Sequence, residues 1–270
     1  MPPIDVDATV IANRRLSRDY NVLTLSAAEV GARTRAGQFV MVRPTGMTET
    51  LLRRPFSVFE VVRDAHGTPT AITILNKRAG RTTNRLYEAE PGERIACLGP
   101  LGRPFTPVAA PTEALMVAGG VGLAPFATLA EALAAAGTPG TLFYGARSGQ
   151  ELFHLDFFER LGVTLVLATE DGSRGERGRV TQPLDRALET RAPGSAMIYA
   201  CGPEPMLAAV AGVAGRHRQP CEVSVERTMG CGLGGCYSCV IKVKHGAEPA
   251  HFVRSCISGP VFDGAEIVWD

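Results

Sequence analysis

Four cysteines near the C-terminal end restrict what this chain can fold into more than any other feature. Cys231, Cys236 and Cys239 stand in one glycine-rich loop, and Cys256 follows after sixteen residues. Thiolates at this Cys-x4-Cys-x2-Cys spacing, with a fourth farther on, are typical of plant-type 2Fe–2S clusters. Glycine suits such a loop because it takes positive φ angles without steric cost. The spacing therefore predicts a 2Fe–2S cluster held by these four thiolates.

Two other uses of the cysteines have less support. A structural zinc site usually pairs two short Cys-x(2–4)-Cys hairpins, whereas three cysteines share one loop here. Disulfide bonds are disfavoured because the chain has seven cysteines, an odd number, and because its first residues lack a basic segment followed by an apolar run. Zinc remains the alternative for the loop.

Length and charge limit the classes of function. A chain of 270 residues is long enough for two or three domains, each with its own core. Its formal net charge of +1 creates no strong field toward nucleic acid or an anionic membrane, and no apolar run reaches the ~20 residues of a membrane span. We expect a cytoplasmic protein with no nucleic-acid and no membrane partner.

The first part of the chain, residues 1–104, is typical of a small closed antiparallel β-barrel. Short runs rich in Val, Ile, Leu, Thr and Phe alternate with turn residues, and one short helix is expected over Thr83–Ala89. The predicted strands are Ala8–Ala12, Val22–Leu25, Gln38–Val42, Phe56–Val62, Ala71–Lys77 and Arg94–Leu98. Prolines at 104, 107 and 111 then indicate a domain boundary.

The rest of the chain divides into two further predicted domains. Residues 112–225 alternate between strands and helices, which predicts a doubly wound parallel α/β domain. One of its helices is expected near residues 150–161. Residues 226–270 are expected to form a small 2Fe–2S domain with strand-like pieces at Val240–Lys244 and Ala265–Trp269.

Two motifs of the predicted barrel combine charge with small polar side chains. The motif Arg53–Ser57 (Arg-Arg-Pro-Phe-Ser) can by itself be an ordinary charged strand edge. The motif Gly80–Thr83 opens a helix, where backbone N–H groups suit a phosphate, although Thr82 or Thr83 can equally be an ordinary N-cap. Their occurrence together, ahead of a nucleotide-type domain, favours a binding function for both.

A glycine pattern follows the first strand of the predicted α/β domain. Gly120-x-Gly122-x-x-Pro125 lies where a strand passes into a helix, which is the context that a pyrophosphate loop requires. Pro125 replaces the third glycine of the standard dinucleotide fingerprint. Cys201 ends a later strand, and the carboxyl ends of strands face the ligand crevice in open α/β sheets. Cys201 can also be merely a small buried apolar residue.

Taken in order, Arg54-x-x-Ser57, Gly80-x-x-Thr83, the glycine pattern and Cys201-Gly202-Pro203 resemble the ferredoxin–NADP reductase superfamily. With the cysteine loop, the chain is similar over nearly its whole length to the electron transfer subunits of type B dihydroorotate dehydrogenases. This resemblance implies an FAD-binding barrel, an NAD-binding α/β domain and a 2Fe–2S domain. That family commonly has Ile where Phe56 stands.

The resemblance also implies roles for individual residues. The flavin and its phosphates would be contacted by Arg54, Pro55, Phe56 and Ser57, the FAD would be lined by Leu75, Asn76 and Lys77, and its pyrophosphate would be held by Thr82 and Thr83. NAD would lie beside Gly120, Gly122, Pro125 and Cys201, and the cluster would be ligated by Cys231, Cys236, Cys239 and Cys256.

These cofactors fit one another chemically. Nicotinamide exchanges a hydride, which carries two electrons, a 2Fe–2S cluster takes one electron at a time, and FAD can do both. The chemistry needs no catalytic acid, base or nucleophile from this chain, and the sequence offers no convincing constellation of that kind. By the resemblance, dihydroorotate is oxidised to orotate at FMN in a separate catalytic subunit, as a step of pyrimidine biosynthesis. A heterotetramer with two copies of each subunit is expected.

Several alternatives remain open at the level of sequence. An NAD(P)H-dependent ferredoxin reductase, or a diaphorase-type subunit of a sulfide dehydrogenase or hydrogenase, uses the same chemistry. A redox sensor or assembly partner would need no nicotinamide site, and a zinc-stabilised binding module would need no cluster. The sequence also leaves the choice between NAD and NADP open.

Overall fold

The computed structural model describes residues 2–46 and 51–269. The outer limits of the first and third predicted domains, residues 1 and 270, lie outside the described residues. The N-terminal part contains two short helices, α1 (Ala28–Arg33) and α2 (Arg81–Tyr87). Its strands are β1 (Ile4–Arg15), β2 (Tyr20–Leu25), β3 (Phe39–Pro44), β4 (Arg54–Ser57), β5 (Val61–Arg63), β6 (Pro69–Lys77) and β7 (Arg94–Leu101).

These strands form one curled antiparallel sheet in the order β4-β3-β7-β1-β2-β6-β5, which confirms the predicted antiparallel barrel class. The single strand predicted over Phe56–Val62 is wrong, because the chain splits there into β4 and β5 at opposite edges of the sheet. The link between them is bonded beside both edges: Val58 N donates to the carbonyl of Gln38, just before β3, at 3.0 Å, and Phe59 N donates to the carbonyl of Thr73 on β6 at 2.9 Å. The link therefore draws the two edges together.

The barrel buries aliphatic side chains on its inner face. Strand residues alternate between faces, so Leu23 points into the barrel core while Val22 packs with the core of the next domain. Leu75 on β6 shares the outward environment of Val22. This two-sided burial of β2 and β6 attaches the barrel to the α/β part through apolar contact.

The α/β part begins with β8 (Glu113–Gly119), a 3-10 turn (Gly120–Leu123) and α3 (Ala124–Ala135). The elements that follow are β9 (Gly140–Ala146), α4 (Leu155–Arg160), β10 (Thr164–Thr169), β11 (Glu176–Arg177), α5 (Thr181–Leu188), β12 (Ala196–Cys201), α6 (Glu204–Arg216) and β13 (Cys221–Ser224). The helix expected near residues 150–161 is shorter than predicted, because His154 adopts a left-handed backbone conformation and α4 begins only after it.

The central sheet is doubly wound, as predicted. Strands β8 to β13 pair in parallel in the order β11-β10-β9-β8-β12-β13. One face packs on α3 and α4 through Phe126, Leu129 and Phe158, and the other face packs on α5 and α6, for example through Leu184 and Val210. Both faces are thus covered, as parallel sheets require.

The C-terminal part consists of β14 (Val240–Val243), β15 (His251–Arg254), α7 (Ser255–Ser258) and β16 (Val261–Asp263). Strands β14 and β15 form a hairpin, and β16 adds antiparallel to β13 at the edge of the central sheet. The strand-like piece expected over Ala265–Trp269 forms no full strand: Ile267 makes an isolated antiparallel bridge to Val243, flanked by backbone hydrogen bonds from Lys244 N to Glu266 O at 2.7 Å and from Val268 N to Lys242 O at 3.0 Å. Within the described residues, no helix combines the length and apolar character needed to cross a membrane.

Candidate cofactor sites

The two arginines at the start of β4 have different partners. Arg53 forms an ion pair with Asp5 in which one terminal nitrogen donates to both carboxylate oxygens, at 2.8 and 2.9 Å. The Arg54 guanidinium instead donates through one terminal nitrogen to the backbone carbonyls of Leu52 and Arg53, at 3.1 and 3.2 Å. Arg53 therefore pairs with the barrel surface, whereas among the described residues the Arg54 guanidinium bonds to local backbone carbonyls alone.

The two threonines at the start of α2 are also used differently. Thr83 Oγ1 accepts hydrogen bonds from the backbone N–H of Ala79 at 2.8 Å and of Gly80 at 2.9 Å, so it caps the helix. The Thr82 hydroxyl is buried and has no hydrogen-bond partner in the described structure. A buried hydroxyl without a partner is costly, and a phosphate oxygen at this helix start would satisfy it.

An open groove of about 330 Å³ lies beside the same helix start. Its walls include two guanidinium groups, and its lining residues are Arg18, Asp19, Arg78, Ala79, Gly80 and Asn84. Sequence reasoning missed Arg18 and Arg78, because neither belongs to a recognisable motif. A positively charged groove next to the unsatisfied Thr82 hydroxyl fits the anionic diphosphate of FAD.

The β6 triplet Leu75–Lys77 presents three environments. Leu75 is buried toward the α/β part, and the Lys77 ammonium lies 5.2 Å from the centre of the Tyr20 ring. The Asn76 side chain is fully buried and donates to Asn21 Oδ1 at 2.7 Å and to the Thr83 carbonyl at 2.9 Å. Asn76 thus ties β6 to α2, a role that sequence reasoning missed although asparagine is depleted in strands.

The structure brings the glycine pattern and Cys201 together. A Cβ on Gly122 would come within 2.1 Å of the Cys201 carbonyl oxygen, so only glycine fits at this approach. Gly120 has φ of +56°, which glycine adopts at no steric cost. Pro125 is buried in the first turn of α3. The turn therefore lies directly on the carboxyl end of β12, as a dinucleotide loop at a sheet crevice would.

The Cys201 thiol has a raised pKa. Burial, and then the charge of Glu226, raise the pKa of this thiol to about 12. A thiol that stays protonated at neutral pH is a poor nucleophile. The raised pKa therefore disfavours a nucleophilic role for the Cys201 thiol.

The glycine turn also adjoins the barrel. The turn lies beside β6, and the Tyr144 hydroxyl donates to the carbonyl of Glu151 at 3.1 Å and approaches that of Gly120 at 3.3 Å. Phe105, in the connection between the two parts, stacks on Phe126 at 5.8 Å. The candidate flavin strand β6 and the candidate nicotinamide turn therefore border one crevice.

The cysteine loop packs on the other side of the barrel sheet. Cys239 and Cys256 are buried in a small apolar cluster with side chains of β3 and β7, namely Phe39, Met41, Leu98 and Leu101, and with Met229. A Cβ on Gly232 would meet Met41 at 2.6 Å, and φ at Gly232 is +72°. The glycines of the loop therefore permit its close approach to the barrel.

The four thiols differ in electrostatic setting. Hydrogen bonds from Ser238, and then from Cys231, lower the pKa of the exposed Cys236 thiol to about 6, and the Cys236 sulfur lies 3.1 Å from Ser238 Oγ. Burial, and then the neighbouring Cys239 thiol, raise the pKa of Cys256 to about 12. Iron binding would release the proton of Cys256, since only the thiolate is a ligand.

Among the residues that the structure describes, no three His, Cys, Asp or Glu side chains converge on a single metal position. A 2Fe–2S cluster does not require that, because each of its two irons takes two thiolates. The apolar cover over Cys239 and Cys256, together with the soft thiol donors, fits an iron–sulfur cluster.

Apolar side chains surround the cysteine loop on its outer side. Leu52, Leu233, Tyr237 and Ile257, here called the cluster-loop patch, are each more than half exposed. Tyr237 is supported by the guanidinium of Arg254, which lies 4.7 Å from its ring centre and donates to the Gly234 carbonyl at 2.8 Å. Exposed apolar groups gathered in this way are typical of a protein-binding surface.

Three family models match successive parts of the chain. Residues 7–105 match an oxidoreductase FAD-binding domain, and residues 116–212 match an oxidoreductase NAD-binding domain. Residues 226–268 match the iron–sulfur cluster binding domain of dihydroorotate dehydrogenase B. These matches confirm the FAD, NAD and 2Fe–2S cofactors expected from the sequence, because each cofactor has a matching binding domain.

Curated relatives match almost from end to end. The dihydroorotate dehydrogenase B (NAD(+)) electron transfer subunit of Desulforamulus reducens is 33% identical over 264 residues, covering 98% of each chain. The subunit of the same name from Geobacillus kaustophilus is 37% identical over 262 residues, covering 96% of this chain and 97% of the relative.

Solved structures agree with the fold. A structure described as an NADH-dependent reduced ferredoxin–NADP oxidoreductase, studied for flavin-based electron bifurcation, superposes with a TM-score of 0.83 at 27% identity, covering 98% of this chain and 90% of that one. A ferredoxin reductase of carbazole 1,9a-dioxygenase superposes with a TM-score of 0.67 at 25% identity, covering 82% of this chain and 69% of that one.

Proposed function

This chain belongs to the family of dihydroorotate dehydrogenase B electron transfer subunits, and from that premise we propose how its residues and its partner carry out the electron transfer. The chain is an NAD-dependent flavin and iron–sulfur oxidoreductase subunit that serves the oxidation of dihydroorotate to orotate. One observation carries the proposal: the cysteine loop lies on β3 and β7 of the barrel, while the glycine turn lies beside β6 of the same barrel. The candidate cluster site, which exchanges single electrons, and the candidate NAD site, which exchanges a hydride, therefore lie on one sheet, a few strands apart.

When bound, FAD supplies the exchange between one-electron and two-electron chemistry. The residues of the chain would bind the cofactors, orient them and shield them from water. Arg54 to Ser57 would hold the flavin and its phosphates, Leu75 to Lys77 would line it, and Thr82 would donate to a phosphate oxygen while Thr83 fixes the helix start. The glycine turn and Cys201 would leave room for NAD, and Cys231, Cys236, Cys239 and Cys256 would ligate the cluster.

The division into domains is part of the same proposal. We assign residues 1–104 to FAD, 112–225 to NAD and 226–270 to the cluster. Strand β16 lies in the third segment yet pairs with β13, which supports a cluster domain anchored on the α/β domain.

An electron transfer subunit works with a catalytic partner. We propose that this partner contains FMN, oxidises dihydroorotate there, covers the cluster-loop patch and assembles with this chain as a heterotetramer of two copies of each. Exposed apolar side chains next to the cluster support this arrangement, because electrons need a short route between subunits and aromatic residues are enriched at interfaces.

Co-expression with the candidate catalytic subunit tests the proposal. The purified complex is expected to contain FMN, FAD and iron, and to form NADH when dihydroorotate and NAD⁺ are added. Replacing NAD⁺ by NADP⁺ in the same assay decides the nicotinamide preference. A complex that reduces ferredoxin with NADH but shows no dihydroorotate-dependent NADH formation would instead support the ferredoxin reductase alternative.

A further inference from the structure

Two consecutive residues of the α/β domain, Phe153 and His154, reach across to the barrel. The Phe153 ring lies 4.9 Å from the ring of Tyr20 on β2. The His154 ring lies 4.8 Å from that of Phe59, which belongs to the link between β4 and β5. These two residues therefore connect the α/β domain to β2 and to the link between β4 and β5.

His154 also makes a polar contact across the same boundary. Its Nε2 lies 3.3 Å from Glu60 Oε1, and the side chain of His154 is only 11% exposed. Glu60 is held in place by Thr73, whose hydroxyl donates to Glu60 Oε2 at 3.2 Å. Although burial by itself raises the pKa of Glu60, the hydrogen bond and charge of His154 and the Thr73 bond lower it overall. Glu60 is thus an ionised acceptor for His154.

The backbone of His154 is in a conformation that costs free energy. Its φ and ψ of 62° and 23° are left-handed, a conformation that is unfavourable for a residue other than glycine. Such a conformation persists only where the surroundings hold it. Stacking on Phe157 at 4.7 Å and the contact with Glu60 supply that hold.

The position of this contact gives it a role. Glu60 follows Ser57, the candidate flavin-binding residue at the end of β4, by three residues. His154 follows Glu151 by three residues, and the Glu151 carbonyl accepts the hydrogen bond of Tyr144 beside the glycine turn. The contact therefore couples the strand that would hold the flavin to the segment that supports the nicotinamide turn.

We propose that His154 is a positioning residue for hydride exchange: its contact with Glu60 sets the α/β domain on the barrel so that the nicotinamide and flavin rings meet. This inference rests on the proposed NAD–FAD exchange. Hydride transfer depends steeply on geometry, and a displacement of about 1 Å can reduce a rate by up to about a hundredfold.

The test compares three variants of the full chain carrying its cofactors. His154→Phe keeps a ring between Phe59 and Phe157 but removes the hydrogen bond to Glu60, and His154→Gln keeps a donor. His217→Phe is the matched control, because His217 pairs with Asp185 at 2.7 Å within the α/β domain alone. The measurements are the rate of flavin reduction at saturating NADH, the KM for NADH, and the long-wavelength absorbance that arises when nicotinamide and flavin stack.

We expect His154→Phe to lower the saturating rate about tenfold and to lose the stacking absorbance, with FAD and iron content unchanged. His154→Gln and His217→Phe should keep the saturating rate and the stacking absorbance of the wild type. An unchanged rate in His154→Phe, or an equal loss in His154→Gln, overturns the proposal. If His154→Phe does not fold, Glu60→Ala takes its place, and an unchanged rate there overturns the proposal as well. Failure of dihydroorotate-dependent turnover in the complex would contradict only the proposed function, because the reduction of flavin by NADH is measured without a partner.

Discussion

Neighbouring residues of the same type have different tasks in this chain. Arg53 is paired with Asp5 whereas Arg54 rests on backbone carbonyls, and Thr83 caps α2 whereas the Thr82 hydroxyl lacks a partner in the described structure. In each pair one side chain supports the fold, and we propose that the other binds a ligand. Substituting each member of a pair separately distinguishes the two tasks.

Arg54→Ala is expected to raise the Kd of FAD about tenfold or more, because a charge-assisted hydrogen bond to phosphate or flavin oxygen is lost. Arg53→Ala is the control and should change the Kd little, since a partly exposed ion pair contributes about 1 kcal/mol or less. The measurement is flavin fluorescence during titration of the flavin-free protein. Equal affinities in wild type and Arg54→Ala would remove Arg54 from the site.

Cys256→Ser is expected to lose iron and acid-labile sulfide while FAD stays bound, because a hard hydroxyl oxygen is a poor ligand for cluster iron. Cys221→Ala is the control, since it removes a buried thiol that lies on β13 outside the loop. Iron, sulfide and flavin are assayed chemically in both. Full iron and sulfide in Cys256→Ser would exclude Cys256 as a ligand.

Glu131 on α3 predicts a pH-dependent stability effect. Burial, and then the charge of Glu60, raise the pKa of Glu131. The ionised carboxylate therefore disfavours the folded state above this raised pKa, and the effect vanishes below about pH 4, where the group is neutral in both states. Glu131→Gln should raise the thermal midpoint near pH 7.5 by a small amount, and the gain should shrink toward pH 4.

The control for that measurement is Glu159→Gln, at an exposed position of α4. It should leave the midpoint unchanged at both pH values. A gain for Glu131→Gln that is as large in acid as at neutral pH would show that packing, and not ionisation, is responsible.

At the scale of elements, helix α2 is attached at both ends. Thr83 caps its start, and a ladder of three asparagines from β1, β2 and β6 binds the carbonyls along and after it. Asn21 is the middle member: it donates to Asn13 Oδ1 at 2.8 Å and to the Leu86 carbonyl at 3.2 Å. A helix of seven residues is too short to be stable alone, so this ladder holds it on the barrel.

Asn21→Ala is expected to reduce the free energy of unfolding by about 1–3 kcal/mol, because buried partners are left unsatisfied. The Kd of FAD should rise as well, since α2 carries Thr82. Thr70→Ala, which removes an exposed hydroxyl bonded to the Val62 carbonyl, is the control. Urea unfolding compares the three proteins, and a loss no larger than that of Thr70→Ala would contradict a supporting role for the ladder.

At the scale of the whole molecule, the barrel lies between the cysteine loop and the α/β domain. The cluster loop covers β3 and β7, and the α/β domain covers the β2–β6 side. The cluster-loop patch then lies on the outward side of the cluster. Under the proposed function, this order would place the external electron donor and NAD⁺ at different faces of one chain.

Tyr237→Ala is expected to slow dihydroorotate-dependent NADH formation in the reconstituted complex about tenfold, since aromatic anchors dominate interface energies. Flavin reduction by NADH in the isolated chain should stay unchanged. Ile11→Ala, at an exposed apolar position of β1, is the control and should affect neither assay. Equal losses in the two assays of Tyr237→Ala would show that the tyrosine supports the cluster domain itself.

The sequence by itself determined the class of each part. Cysteine spacing predicts a cluster because ligand chemistry is local, and alternation of strands with helices predicts the α/β domain because hydrophobic periodicity is local as well. The strand-end positions of the Gly120 pattern and Cys201 predict a nucleotide crevice, and the family resemblance implies that NAD lies beside them. The structure brings them into contact, and their role toward NAD stays a prediction.

Only the tertiary structure decided which distant segments meet. Four features join segments that lie far apart in the chain. They are the division of residues 56–62 between two sheet edges, the pairing of β16 with β13, the asparagine ladder, and the contacts of Phe153 and His154 with the barrel. Such contacts depend on how a sheet curls and how domains pack, and neither leaves a local pattern of residues. Asn21, Glu60 and His154 therefore gain their roles only when the whole chain is folded.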